Sequence, residues 1–341
     1  MKILLTGGSG AVGQNVLEQL CKNKDFEIIA FDIKNKVTQK FYKPFLKRIT
    51  VHYGDISKKE DLIPVAKDVD FVIHLAAIIP PLADQKPELA HKINVEGTRN
   101  LIDVLEAHSK NAFLLYASSV SVYGDRLKNP FINVGDPLIP SPGDEYAKTK
   151  IKAEIVVQNS QLDWSIFRLS AIMGTDNHKI SGLMFHMPLA TSMEITTPKD
   201  TGRAFANAVH KRKELSKRIF NLGGGEGCRI DYHEFLSKSF NIFGLGKLNF
   251  PKNTFAKQNF HCGYYADGDE LEEILQFRKD DIESYFKEVK KSVPPLKRFF
   301  TRIFNWSVKQ HLIRQSDPLK AIKRKDRKLI THYFNSSAKE S

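Results

Sequence analysis

Short apolar runs bounded by glycine or acidic residues alternate along this chain with stretches of helical spacing. KILLT (2–6), FEIIAFD (26–32), RITVHYGD (48–55), DVDFVIHLAA (68–77), NAFLLYASS (111–119), DWSIFRLS (163–170) and RIFNLGG (218–224) read as strands. Val12, Val16, Leu17 and Leu20 fall on one side of a helix over 11–23. A long helix is predicted from about Pro87 to His108, and another over EYAKTKIKAEIVVQ (145–158). Strands separated by helices about every 20–30 residues call for parallel pairing through crossover helices. The expected fold is α/β, a Rossmann-like doubly wound parallel sheet with a small C-terminal substrate lobe and a basic helical tail.

The length, 341 residues, suits one large α/β unit with a smaller appendage. Three widely spaced cysteines, Cys21, Cys228 and Cys262, supply neither a disulfide frame nor a paired-cysteine metal site, and fit a reducing compartment. The apolar stretch at 3–5 is too short for a signal peptide, and no run of about 18 apolar residues follows it. A cytoplasmic protein is therefore expected.

Net charge changes this picture at one end. Of the formal +13, residues 294–341 carry +9, from twelve Lys or Arg against three acids. Boundaries are accordingly expected at 1–170 (cofactor-binding domain with the catalytic groups), 171–293 (a mixed region that returns to the sheet at about 201–225 and forms the substrate lobe) and 294–341 (basic, aromatic-rich tail).

The first strand runs into Thr6-Gly-Gly-Ser-Gly-Ala-Val-Gly13. Two patterns overlap there, Gly8-x-Gly10-x-x-Gly13 and Gly7-x-x-Gly10-x-x-Gly13. Both serve a sharp strand-to-helix turn whose backbone can approach a pyrophosphate at a helix N-terminus. Asp32 ends the second strand nineteen residues after Gly13, where a carboxylate can accept from both ribose hydroxyls of NAD and repel the 2′-phosphate of NADP. Lys34 and Lys36 nearby could tolerate that phosphate. Asp55 could meet the adenine amino group, or cap a helix starting near Ser57.

Tyr146 and Lys150 stand at i and i+4, on one face of a helix. A cation beside a phenol stabilises the phenolate, so Lys150 is expected to make Tyr146 a better acid and base at neutral pH. Ser119 closes the strand at 111–119, at the carboxyl end where doubly wound sheets hold ligands. Asn94 is an indifferent helix former inside a helical stretch and could hold a water or a backbone kink near Lys150.

TGGSGAVG (6–13), Asp32, GDI (54–56), HLAA (74–77), NVEGT (94–98), SSVSVYG (118–124) and YAKTK (146–150) together resemble the extended short-chain dehydrogenase/reductases, also called the NAD-dependent epimerase/dehydratase family. TGRAFANAV (201–209) and FNLGGGEG (220–227) extend the likeness to about residue 240. The resemblance implies Ser119, Tyr146 and Lys150 as catalytic trio, with Asn94 as fourth member. It implies Gly7, Gly10, Ala11, Val12, Gly13, Asp32, Asp55, Ile56, Leu75, Ala76 and Ala77 at the cofactor, joined by Tyr146 and Lys150. Tyr146 would exchange a hydroxyl proton while hydride passes to or from the nicotinamide, and Ser119 would steady the oxygen. The implied function is an NAD(P)-dependent oxidoreductase acting at a secondary alcohol or ketone of a sugar-like substrate, with NAD preferred over NADP. A nucleotide-sugar epimerase with tightly bound NAD is the alternative, and a non-catalytic NAD-binding sensor a further one. Family members often dimerise through the helices that carry Asn94 and Tyr146.

The 4,6-dehydratases of the family carry an Asp-Glu pair where this chain has Val120 and Ser121, which leaves dehydration without an acid/base agent. Only about thirty residues separate Gly174 from Arg203, short for a full nucleotide-sugar pocket. Met184, Phe185, Met187 and Met193 in that segment could line an adaptable pocket or pack as core. His178 and His186 lack carboxylate neighbours in sequence, so no metal site is expected. Gly223 to Gly227, with Arg229, could meet a substrate phosphate or form a bare turn.

The tail segment 296–313, read as one helix, sets Phe299, Phe300, Ile303, Phe304 and Trp306 among Lys297, Arg298, Arg302 and Lys309. Across 296–328 the composition suits peripheral contact with an anionic membrane and a lipid-linked substrate, or a helix packing its aromatics on the body. No recognised nucleic-acid module accompanies it.

Overall fold

The computed structural model describes residues 1–175 and 180–334. Seven parallel strands form the central sheet: β1 (Lys2–Thr6), β2 (Glu27–Asp32), β3 (Thr50–Tyr53), β4 (Phe71–His74), β5 (Phe113–Ser119), β6 (Asp163–Leu169) and β7 (Arg218–Leu222). Their order, β7-β6-β5-β4-β1-β2-β3, is the doubly wound arrangement expected from the alternation of runs. Sheet order reverses between β1 and β4, so the crevice beyond their carboxyl ends is the place for a ligand.

Side chains leave alternate faces of each strand. Ile3 and Leu5 join one apolar cluster and Leu4 the other, so helices cover both faces. Helix α1 (Ala11–Leu20) buries Val16, Leu17 and Leu20 as its spacing requires. The predicted helix over 87–108 is not uniform: α-helix Pro87–His91 passes through a π-helical turn, Lys92–Glu96, into helix Gly97–His108. Helix α2 (Glu145–Gln158) has the predicted bounds, and Asp144 caps it by accepting from the Ala147 amide at 2.7 Å.

A third apolar cluster builds the lobe beside the sheet. It joins Met184, Phe185, Met187 and Met193 to Phe235, Phe240 and Phe286. The methionines therefore pack as core rather than lining an open pocket. Short strands at 171–172, 192–196 and 229–231 form its small sheet.

The tail departs from a single helix. It comprises α3 (Pro295–Ile303), α4 (Asn305–Gln315), α5 (Asp317–Arg324) and α6 (Arg327–Tyr333). The first break falls at Phe304, where Asn305 Nδ2 donates to the Arg302 carbonyl at 2.6 Å and satisfies a helix-end acceptor. Residues 335–341, with Lys339 and Glu340, lie outside the described residues.

Candidate active site

The glycine turn shows why its residues are small. Gly7 has φ +71°, and a Cβ there would stand 2.7 Å from the Ala76 amide nitrogen. A Cβ on Gly13 would strike the Gly7 carbonyl oxygen and come within 2.7 Å of the Gly8 Cα. Helix α1 thus starts pressed against the turn. Its N-cap, Gly10, offers no side chain to the first-turn amides of Ala11, Val12 and Gly13. At Gly10 itself a Cβ would meet only the Gly7 carbonyl oxygen, at 3.3 Å. Amides left uncapped beside such open space suit a pyrophosphate.

Asp32 lies at the end of β2, beside this turn. One carboxylate oxygen accepts from the Ser9 amide at 3.1 Å, the Ser9 hydroxyl at 2.7 Å and the Tyr42 hydroxyl at 2.9 Å. The other accepts from the Ile33 amide at 2.9 Å, which leaves it room for a ribose hydroxyl. Ser9 fills an unspecified position inside the glycine motif and Tyr42 lies outside every motif, so sequence pattern singles out neither. Asp55 does not cap a helix: it accepts from the amide and hydroxyl of Ser57 at 2.9 and 2.8 Å, while the nearby helix starts at Lys59 with Lys58 as its cap. Burial opposes the Asp55 charge, and the Ser57 hydrogen bonds outweigh it, holding the carboxyl below its usual range. Ile56 is buried in the core. Leu75, Ala76 and Ala77 follow β4 at the same crevice, with the Ala76 amide donating to Thr6 Oγ1 at 3.3 Å.

Ser119, Tyr146 and Lys150 come together between β5 and α2. The Ser119 side chain adjoins the Tyr146 phenol, and Ser119 Oγ accepts from the Ser121 amide at 3.2 Å. Lys150 is buried; its Nζ donates to the Ala117 carbonyl at 2.7 Å and lies 5.7 Å from the Tyr146 ring centre. The electrostatics differ from the sequence expectation. Burial raises the Tyr146 phenol above its ordinary value, the Ser119 hydrogen bond opposes this, and Lys150 does not reverse it. Burial also pulls the Lys150 ammonium down to about 7, against the pull of Glu154. Two desolvated groups side by side each favour their neutral form, so the protein alone does not hold a phenolate.

A stability consequence follows for Lys150. Its folded pKa lies below its unfolded value, so protonation opposes folding below pH 7, and the penalty lifts as pH rises from 7 toward 10.5. Wild type should gain about 2 kcal/mol over Lys150→Met between pH 7 and 9 in urea unfolding without cofactor. A constant difference across that range would contradict the buried, readily neutralised amine.

Asn94 sits in the π-helical turn, buried, and the backbone irregularity anticipated there is present. Its amide donates to the Ile78 carbonyl at 2.9 Å and to Thr149 Oγ1 at 3.0 Å, and its carbonyl accepts from the Ile78 amide at 2.7 Å. It ties the loop after β4 to α2, and its polar atoms have protein partners rather than requiring a water.

One group escaped the sequence reading. Glu154 continues the stripe of Tyr146 and Lys150 by one further turn. It receives two hydrogen bonds from Arg168 of β6, at 3.0 and 2.7 Å, and one from the Ser118 hydroxyl. Arg168 also donates to the Tyr123 hydroxyl at 2.7 Å and the Val134 carbonyl at 3.0 Å. This buried network locks the reactive face of α2 to the strand that ends in Ser119. The spacing of Glu154 was a usable signal; its partner, fourteen residues away on a strand, was not.

Two further groups find protein partners. Arg229 donates to Glu194 at 3.1 Å and to the Tyr265 carbonyl at 2.8 Å, and Glu194 also accepts from the Gly225 amide at 3.0 Å. The glycines at 223–227 thus pack onto a protein carboxylate where a substrate phosphate was considered. His186 does find a carboxylate, Asp317 of α5 at 3.0 Å. His178 lies outside the described residues.

A model of the NAD dependent epimerase/dehydratase family matches residues 3–223, from β1 through the end of β7. The chain belongs to this family. Human sterol-4-alpha-carboxylate 3-dehydrogenase, decarboxylating, is 34% identical over 152 residues, covering 44% of this chain and 38% of that protein. The 3-beta-hydroxysteroid dehydrogenase of Mycolicibacterium neoaurum is 30% identical over 207 residues, covering 57% and 54%. The chain therefore spans only about two fifths to half the length of these curated relatives. Among solved structures, UDP-glucuronic acid 4-epimerase from Bacillus cereus, in complex with UDP-glucuronic acid and NAD, superposes with a TM-score of 0.69 at 20% identity, covering 86% of this chain and all of that one. That likeness establishes the fold. Family membership accounts for the clustering of glycine turn, Asp32 and hydroxyl pair at one crevice.

Proposed function

We propose that this chain is an NAD-dependent dehydrogenase or reductase that moves hydride at a ring-borne secondary alcohol or ketone, with Tyr146 as the acid/base. The observation that carries the reading is the Ser119–Tyr146 hydroxyl pair, held over buried Lys150 at the carboxyl end of β5. The turn at Gly7 to Gly13 and the acceptor oxygen of Asp32 fit the pyrophosphate and adenosine ribose of a dinucleotide, and a carboxylate at Asp32 favours NAD over NADP. When bound, NAD supplies the hydride acceptor or donor.

The chain's own groups do the rest. Ser119 donates to the substrate oxygen and holds it next to the Tyr146 phenol, which takes the hydroxyl proton in oxidation and returns it in reduction. Ser119, which opposes the burial-driven rise of the Tyr146 phenol, eases the charged phenoxide during that transfer. Asn94 and Glu154 hold the two sides of the site in register. Val120 and Ser121 are buried and carry no carboxyl group, which argues against dehydration. Curated relatives at 30–34% identity include sterol 3-dehydrogenases and a hydroxysteroid dehydrogenase, which supports alcohol oxidation on a ring. A sugar-like ring presents the same group.

The deciding experiment offers NAD and a panel of ring secondary alcohols, sterol and sugar, to the purified chain. NADH should accumulate in step with ketone. Conversion of a sugar to its epimer without accumulating NADH would replace this reading with an epimerase, and binding of NAD without turnover of any candidate would favour a sensor.

A further inference from the structure

Helix α3 is amphipathic but faces the wrong way for a helix that stabilises a core. Leu296, Phe299, Phe300 and Ile303 stand at i, i+3, i+4 and i+7, one face of a helix. Such a face normally packs inward. Here no residue of α3 is buried. Leu296 is 67% exposed, Phe299 59%, Ile303 57%, and the succeeding Trp306 71%.

The cause is on the other side of the helix. Gly244, at φ +83°, ends the preceding lobe helix, Tyr232–Phe243, and a Cβ there would stand 2.5 Å from the Arg298 carbonyl oxygen and 3.3 Å from the Arg302 amide nitrogen. The α3 backbone at 298 and 302 is thus against the body, while both arginine side chains are exposed to solvent. These positions lie roughly 110–150° around the helix from the centre of the apolar face. The apolar face is therefore turned outward by the packing itself. Nor does α3 hang loosely, because α4 continues from it and is anchored. Lys309 donates to the Lys247 carbonyl and to Asn249 Oδ1, both at 2.6 Å, and Leu312 is buried.

Charge selects the occupant. Residues 294–316 contain five Lys or Arg and no acid, and Lys297, Arg298 and Arg302 are exposed on α3 itself. A second copy of this face would bring like charges together. An anionic bilayer supplies both an apolar phase for the phenyl and indole rings and acidic headgroups for the basic rim. At nine residues α3 reaches only about 14 Å, so it lies in the interface, and no helix among the described residues is long and apolar enough to cross a membrane. We propose that α3, with Phe304 and Trp306, is an interfacial helix that docks this protein on an anionic phospholipid surface. This goes beyond the catalytic reading and does not depend on it.

The test is co-sedimentation of the full chain with vesicles of phosphatidylcholine alone, or mixed with phosphatidylglycerol. Partitioning onto the mixed vesicles should exceed that onto phosphatidylcholine at least tenfold. Phe299→Ser/Phe300→Ser and Lys297→Glu/Arg302→Glu should each reduce it at least tenfold, with unchanged thermal unfolding because these side chains are exposed. Tryptophan emission should shift blue on binding and lose that shift in Trp306→Phe. Tyr146→Phe should bind vesicles like wild type, so loss of catalysis and loss of docking are read separately. Equal partitioning of wild type and both double variants overturns the proposal. So does a dimer in sedimentation velocity that Phe299→Ser/Phe300→Ser dissolves while vesicles bind no protein, or tighter binding to single-stranded RNA than to anionic vesicles.

Discussion

Tyr146→Phe should lower turnover by roughly a thousandfold or more while leaving NAD affinity within a few-fold of wild type. The substitution removes one oxygen. Phenylalanine keeps the ring beside Lys150, and the Lys150 bond to the Ala117 carbonyl does not involve the phenol. The glycine turn and Asp32, which would carry most dinucleotide contacts, lie on other elements. What disappears is the hydroxyl beside Ser119 that can exchange a proton with a substrate hydroxyl. Steady-state rates paired with calorimetric titration of NAD separate the two effects. Turnover near the wild-type rate would remove Tyr146 from the mechanism.

Arg168→Met should cost about 3–5 kcal/mol of unfolding free energy, because it strands the Glu154 carboxylate in the interior. Both side chains are almost fully buried, at 3% and 1% exposure, and four Arg168 hydrogen bonds are lost together. The cost belongs to the stranded charge more than to the pair. Glu154→Leu/Arg168→Met, which removes both charges, should therefore recover much of the loss. Urea unfolding of the two variants decides this. A double variant no more stable than Arg168→Met would show that loss of the pair itself, and not an uncompensated carboxylate, sets the energetics.

The doubly wound parallel sheet was readable because seven apolar runs separated by helical spacing leave parallel crossover connections as the economical solution. The glycine turn was readable for a similar reason. Gly7 needs its positive φ and Gly13 its missing side chain within a few residues of each other. Tyr146 and Lys150 could be placed on one helical face from their spacing alone, and Glu154 extends that face.

Everything that depended on which surfaces meet was beyond such local signals. The π-helical turn at Asn94 is stabilised by Ile78 and Thr149, sixteen and fifty-five residues away. The expected acidity of Tyr146 assumed a charge nearby but not the burial around it, and burial opposes both charged forms. The pairing of Arg229 with Glu194, and of His186 with Asp317, joins segments distant in sequence.

The tail shows the division most directly. Its sequence determined an amphipathic helix with a basic border, since side-chain spacing around a helix is a matter of local geometry. Whether the aromatic face would look inward or outward was decided by the close approach of Gly244 to the 298–302 backbone. That contact exists only once the lobe has folded, because it depends on how the chain after Phe243 meets a helix some fifty residues further on.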